Sequence, residues 1–199
     1  MGNKLVLEGD FTILEEICPK YFPDVIEWRN NKENNRFLNQ PFELTMELEE
    51  KWYNTVYLPD QTQGFLVMLD KAKRIPFGTL GWTHYSKEKH ICIGERFLVG
   101  NREYRGSVQM LEGCLMMSDY LYTKQDVKTM YCHIADDNKH VISFNKKMGF
   151  VVNNGDVVFP DNLLVNGLKQ KEYVRDINQY NEARKKIQKL IEQSAYYFT

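Results

Sequence analysis

The segments Glu103-Tyr104-Arg105-Gly106-Ser107 and Asn138-Lys139-His140-Val141-Ile142-Ser143-Phe144-Asn145-Lys146-Lys147-Met148-Gly149-Phe150 decide how this chain folds. The first is a tight glycine turn that opens a helix. The second reads as a strand end, an Asn, a short helix and a Gly-Phe stop. The first N–H groups of a helix have no partner inside it and lie at the positive end of its dipole. A helix opening after a strand is therefore a place for phosphate. Two such openings suggest a nucleotide-like cofactor laid across an open α/β sheet.

Working outward, His90 to Val99 is a strand leading into the turn, and Val127 to Ile134 is a strand leading into the second segment. Between them, Val108, Leu111 and Leu115 form one apolar row and Met110, Cys114, Met117 and Leu121 another. That wide face predicts a helix from Gly106 to about Tyr122 lying flat on a sheet. A helical crossover makes the two strands parallel. Gly64 to Leu69 and Pro76 to Tyr85 form an antiparallel hairpin through the polar Lys71-Ala72-Lys73-Arg74 link. Val141, Phe144 and Met148 are the buried face of the later short helix, with Gly149 its C-cap.

Toward the N-terminus, Phe11 to Ile17 is a strand and Asp24 to Trp28 starts a helix. Asn30 to Asn35 breaks that helix, because Asn side chains compete for backbone hydrogen bonds. Thr45 caps another helix, with Leu48, Trp52 and Val56 as its apolar face and Pro59 as its end. Phe150 to Val152 and Glu172 to Arg175 are the last strands, and a charged, exposed helix covers about 177–194. The expectation is one α/β (α+β) domain over 1–199, with its core at about 11–175. Its twisted sheet is mixed and mostly antiparallel, flanked by helices, around a central β-α-β-α unit.

The net charge of −1 gives no attraction to nucleic acid or to a membrane surface, so neither is expected as a partner. No apolar run is long enough to span a bilayer and no secretory apolar segment opens the chain. The four cysteines lack C-x-x-C pairing and zinc spacing. They read as buried thiols of a cytoplasmic protein, with no metal expected.

On the turn Glu103-Tyr104-Arg105-Gly106 and the Asn138-to-Phe150 segment, the chain resembles the GNAT acyltransferase superfamily. The resemblance implies a GNAT-like fold and acetyl-CoA as acyl donor. It implies that backbone N–H groups of Arg105, Gly106, Ser107 and Val108 hold the pyrophosphate. Leu98 and Val99 would pair with the pantetheine arm, and Asn138 would contact that arm from the neighbouring strand. The chain departs from the family at Glu103, where Gln or Arg is usual, and at Val108, where Gly or Ala is usual. Asn145 stands where many members carry a Tyr that protonates the leaving thiolate; an amide can hydrogen-bond sulfur without being a useful proton donor. Trp28-Arg29-Asn30, Asn35-Arg36, Thr45 and Lys51-Trp52 resemble the branch that acetylates amino groups on nucleotide-linked sugars. Ribosomal-protein N-terminal acetyltransferases are a neighbouring branch.

Acetyl transfer needs a neutral amine, and an alkyl ammonium has a pKa near ~10, so a base must take a proton. Glu95 is the first candidate, because it is charged within an otherwise apolar stretch beside the expected thioester; the plainer reading is an exposed carboxylate or a partner of Arg96. His84 is the second, and strand alternation puts it on one face with Trp82. Arg29 and Arg36 flank the Asn-rich loop and could grip a diphosphate. Trp82 could stack on a nucleobase, whereas Trp28 and Trp52 suit core anchoring. The favoured activity is N-acetylation of a small-molecule amine on a nucleotide-linked sugar. The rivals are acetylation of protein N-termini and a catalytically idle acyl-CoA-binding module. The C-terminal helix is expected either to cover an edge strand or to make a homodimer contact.

Overall fold

The computed structural model describes residues 4–38, 40, 42–165 and 167–195. In chain order the strands and helices are β1 (Val6–Glu8), β2 (Thr12–Glu16), α1 (Phe22–Asn30), α2 (Lys32–Asn35), α3 (Met46–Trp52), β3 (Gly64–Asp70), β4 (Pro76–Ser86), β5 (Ile91–Val99), α4 (Val108–Thr123), β6 (Thr129–Ala135), α5 (Lys139–Lys147), β7 (Val151–Val152), β8 (Leu164–Val165), β9 (Leu168–Asp176) and α6 (Ile177–Ala195). The sheet runs β1-β2-β3-β4-β5-β6-β9-β7, with β8 pairing β9 off that path. Neighbours are antiparallel except β5 and β6, which lie parallel as α4 crosses between them. This is the expected mixed α/β architecture; β1 was not expected from the sequence.

The sheet separates two cores. One face packs Leu66, Met68, Phe77, Trp82, Cys92, Met130 and Cys132 against α4 and α6. The other packs Val67, Leu69 and Phe65 against Phe22, Val25, Tyr53 and Tyr57. Cys18, Cys92, Cys114 and Cys132 are buried free thiols. No described helix is long and apolar enough to cross a membrane.

Two local expectations are corrected. Thr45 does cap α3, its Oγ1 accepting from the Leu48 N–H at 3.3 Å, but Leu48 and Val56 are exposed. The helix runs into a single wide turn over Tyr53–Tyr57, and its inner stripe is Glu49, Tyr53 and Tyr57. The two stacked tyrosines, with Tyr53 edge-on to Phe22, bury more surface than Leu48 and Val56 offer. The C-terminal helix is charged only on its outer side. Tyr180, Ala183, Ile187 and Ile191 are buried, completing the α4 side of the core. Spacings of three and four place them on one helical stripe.

Candidate active site

Beyond Ile91↔Thr129, Cys92↔Met130 and Ile93↔Tyr131, β5 and β6 have no further paired residues. From Gly94 to Val99 on one side and Cys132 to Ala135 on the other, the sheet is open, so backbone groups there are available to an extended ligand. The wall of β5 includes Leu98 and Val99. On the α4 side of the sheet, Phe97 stacks on Phe144 of α5, with ring centroids 5.3 Å apart.

The turn at the end of β5 is built on Tyr104. Its ring stacks on Phe77 at 4.4 Å and its hydroxyl donates to Asp70 Oδ2 at 2.9 Å. Ser107 caps α4, accepting from the Met110 N–H at 3.1 Å. Within the turn, the Arg105 N–H donates to Arg102 O and the Ser107 N–H to Tyr104 O. That leaves Gly106, Val108 and Gln109 with N–H groups that no described residue accepts. Gly106 has φ +75°, and a Cβ there would meet nothing within 4 Å. The glycine is thus needed for its backbone conformation, with open space beside it. The two departures from the family turn have simple outcomes: Glu103 is exposed and Val108 is buried in the core, so neither side chain fills this space. These groups fit the diphosphate of a CoA-type donor.

On the sheet face away from α4, two irregularities shape a trough. His84 and Arg96 both have positive φ, 51° and 59°. The β4–β5 register shifts beside each of them. The bulge at His84 overturns the expected alternation: Trp82 lies on the α4 face against Tyr120, while His84 lies on the other face, edge-on to Phe159 at 5.5 Å. Trp82 is therefore directed away from His84 and lines a cavity of about 310 Å³ with Glu16, Gln63 and Tyr120. The bulge at Arg96 brings Glu95 and Arg96 to the trough side together, with Arg96 Nε and Glu95 Oε1 3.8 Å apart. The Glu95 side chain is 41% exposed, so solvent and a ligand can reach it.

Arg96 is enclosed by Trp52, Tyr57 and Phe65, its guanidinium 5.0–5.9 Å from their ring centres. It donates to Gln63, and its Nη1 is the one buried side-chain nitrogen or oxygen without a partner among the described residues. Burial holds Arg96 and Arg29 below the usual guanidinium range. Burial also raises the Glu49 carboxyl, against the opposing pull of Arg29 and Arg96. Arg96 and Glu49 were missed from the sequence, because an Arg in a strand and a Glu in a helix look like solvated surface.

On the β6 side, His133 Nε2 lies 3.1 Å from Glu172 Oε2 on β9, and the two side chains are only 6% and 1% exposed. Glu172 also accepts from the Asn153 amide at 2.6 Å and from the Val158 and Phe159 N–H groups at 3.0 Å. These bonds hold the Asn153–Phe159 segment across the trough, with Phe159 against Tyr131 and His133.

The remaining candidates are placed as follows. Asn138 caps α5 through the Val141 N–H at 3.4 Å. Asn145 donates to Val141 O at 3.0 Å and lies 3.8 Å from the Cys132 thiol. Its amide is thus committed within α5 and against β6. Arg29 donates to Gln40 at 2.7 Å. Arg36 reaches Asp137 at 2.5 Å, spanning from α2 to the start of α5 beside the open strands. Trp28 is a core anchor: a Cβ on Gly100 would lie 2.1 Å from its ring.

A model of the acetyltransferase (GNAT) domain matches residues 12–151. No curated protein matches the sequence. Among solved structures, the chain is similar to an apo nucleotide-linked sugar GNAT, FdhC, with TM-score 0.73 and 13% identity, covering 92% of this chain and 97% of that one. A GCN5-related N-acetyltransferase from Brucella melitensis matches with TM-score 0.78 and 11% identity, covering 96% and 86%. A spermidine N-acetyltransferase from Vibrio cholerae, solved with CoA and spermine, matches with TM-score 0.70 and 16% identity, covering 86% and 99%.

Proposed function

Because the chain belongs to the GNAT acetyltransferase family, as an acyl-CoA-dependent N-acetyltransferase, we propose that it acetylates the primary amine of a small molecule, with the amino group of a nucleotide-linked sugar as the favoured acceptor. The observation that carries this reading is the coincidence of three features at one place: the open β5–β6 edges, the unpartnered N–H groups of Gly106, Val108 and Gln109, and Glu95 on the opposite face. What supports the sugar-nucleotide acceptor is the guanidinium of Arg36, 65% exposed beside the open strands, together with the likeness to FdhC. We take residues 1–199 as one such domain acting in the cytoplasm, and a homodimer as its assembly.

Acetyl-CoA supplies the thioester. The turn N–H groups bind its diphosphate, and Leu98 and Val99 pair with the pantetheine arm, Asn138 facing it from the end of β6. Glu95 accepts a proton from the acceptor ammonium, with His84 beside it on β4. A backbone N–H near Val99 stabilises the tetrahedral oxyanion, a contribution of about 3 kcal/mol in comparable sites. Asn145, bonded within its own helix, does not donate the proton that the leaving thiolate takes. A thiol's ordinary pKa of about 8.5 makes the thiolate a tolerable leaving group without such a donor.

Acetyl-CoA at saturation raises the melting temperature if this reading holds, because it binds only the folded chain. Absence of any shift removes both the sugar and the N-terminal acetylation readings. Release of free CoA with amino-sugar nucleotides, polyamines and N-terminal peptides then identifies the acceptor class. Glu95→Gln is expected to slow transfer about 100-fold or more at neutral pH and less at high pH, where the amine loses its proton unaided. A near-normal, pH-independent rate removes Glu95 as the base.

A further inference from the structure

We propose that His133, oriented by Glu172, is a second proton acceptor of the trough, working with Glu95 in the same acetyl transfer. This rests on the acetyltransferase reading above. The chemistry removes two protons from one nitrogen. The nitrogen enters as an ammonium with three N–H bonds and leaves as an amide with one. The first proton must go before the lone pair attacks the carbonyl carbon; the second leaves as the C–S electron pair departs with the thiolate. One of the two protons ends on that sulfur and the other in solvent. Glu95, 41% exposed, takes the first and passes it to solvent; His133 takes the second and hands it to the departing thiolate.

The geometry places His133 for this. Tyr131 and His133 alternate with Met130, Cys132 and Ile134 of the α4-side core, so they face the trough. Tyr131 is the last β6 residue paired with β5, and His133 is the next on that face, on the wall opposite Glu95. Glu172 sits directly across on β9, in register with His133. With its Nε2 proton donated to that carboxylate, the neutral imidazole keeps its lone pair on Nδ1; the carboxylate orients the ring as in hydrolytic triads, with the two nitrogens exchanged. The charged or titratable groups that act on it are Glu172 from β9, Glu95 from β5 and His84 from β4. Burial pushes the imidazole below its usual value and His84 adds to that, while Glu172 and Glu95 pull it back up. Net lowering keeps the proton-accepting form at neutral pH. Holding the Asn153–Phe159 segment does not account for His133, since Glu172 already has the Asn153, Val158 and Phe159 donors for that.

The test uses the full chain loaded with CoA, and ring-nitrogen NMR of its four histidines, assigned with His133→Gln and His84→Gln. The expected result is a bare Nδ1 on His133 at neutral pH, and a titration midpoint that moves down in Glu95→Gln. An identical His133 titration in both proteins, or a proton on Nδ1, overturns the proposal. In turnover of a UDP-linked amino sugar, His133→Gln should lower kcat about 10–100-fold and move the acidic limb of the rate profile relative to wild type on the same amine. KM for acetyl-CoA should hold. His133→Asn should move the same limb and covers the case in which His133→Gln does not fold. An unmoved limb with kcat within about twofold of wild type counts against His133. Lack of turnover in the wild type sinks the sugar acceptor alone, and the NMR result still decides His133.

Discussion

Single residues in unusual conformations shape this site. Gly106 at φ +75° frees the N–H groups that face the proposed diphosphate. Gly106→Ala meets no steric obstacle but forces an L-residue into a left-handed conformation, at about 1–2 kcal/mol. Chemical denaturation should show that loss together with weaker CoA binding; unchanged affinity would separate the turn from the cofactor. His84 was legible as a site residue, but neither it nor Arg96, also left-handed, was legible as a bulge. A non-glycine residue leaves no sequence mark of positive φ, so simple alternation put His84 and Trp82 on one face and the structure puts them on two. His133 and Glu172 carry a pH prediction. Burial lowers the His133 imidazole, so the folded state binds fewer protons than the unfolded chain, and stability falls as pH drops through the ordinary value of 6.5. For Glu172, burial raises the carboxyl, but its bonds to Val158, Asn153, Phe159 and His133 leave it below 4.5, so its contribution is lost as pH drops below that value. Melting temperature against pH should decline in both windows, and His133→Gln should remove the upper one.

At the scale of elements, α4 is where the fold and the site meet. Its two apolar rows were plain in the sequence, and so were the Gly106 turn that opens it, the parallel β5–β6 pair and the Gly149 stop at φ +91°. What was not legible is Glu112, buried on this helix, which accepts from the Asp10 and Phe11 N–H groups at 2.7 and 2.8 Å and so ties α4 to the β1–β2 turn. Its partners lie far away in sequence, and periodicity says nothing about such a bond. Glu112→Ala leaves both donors short of a partner and should cost about 3 kcal/mol in urea unfolding. A loss under about 0.5 kcal/mol would mean that water replaces the carboxylate. The same blindness affected α3, where Leu48 and Val56 match a helical stripe but the tyrosines of the following wide turn take the inner position.

For the whole molecule, α6 belongs to the core rather than to an appendage, because Tyr180 and Ile187 close the far side of α4, and Arg184 holds Asp119 at 2.7 and 3.0 Å. Ile187→Ala should destabilise the chain by about 2–4 kcal/mol with an unchanged denaturant slope; a smaller slope would show α6 unfolding on its own. The central claim is that the donor lies between the open edges of β5 and β6 with its diphosphate on the start of α4. Backbone amide NMR during titration with CoA tests it most directly. The account predicts the largest shifts at Gly106, Val108 and Gln109, and along 94–99 and 132–135. Shifts confined to the cavity around Glu16, Gln63 and Trp82, with the Gly106 turn unmoved, would contradict it.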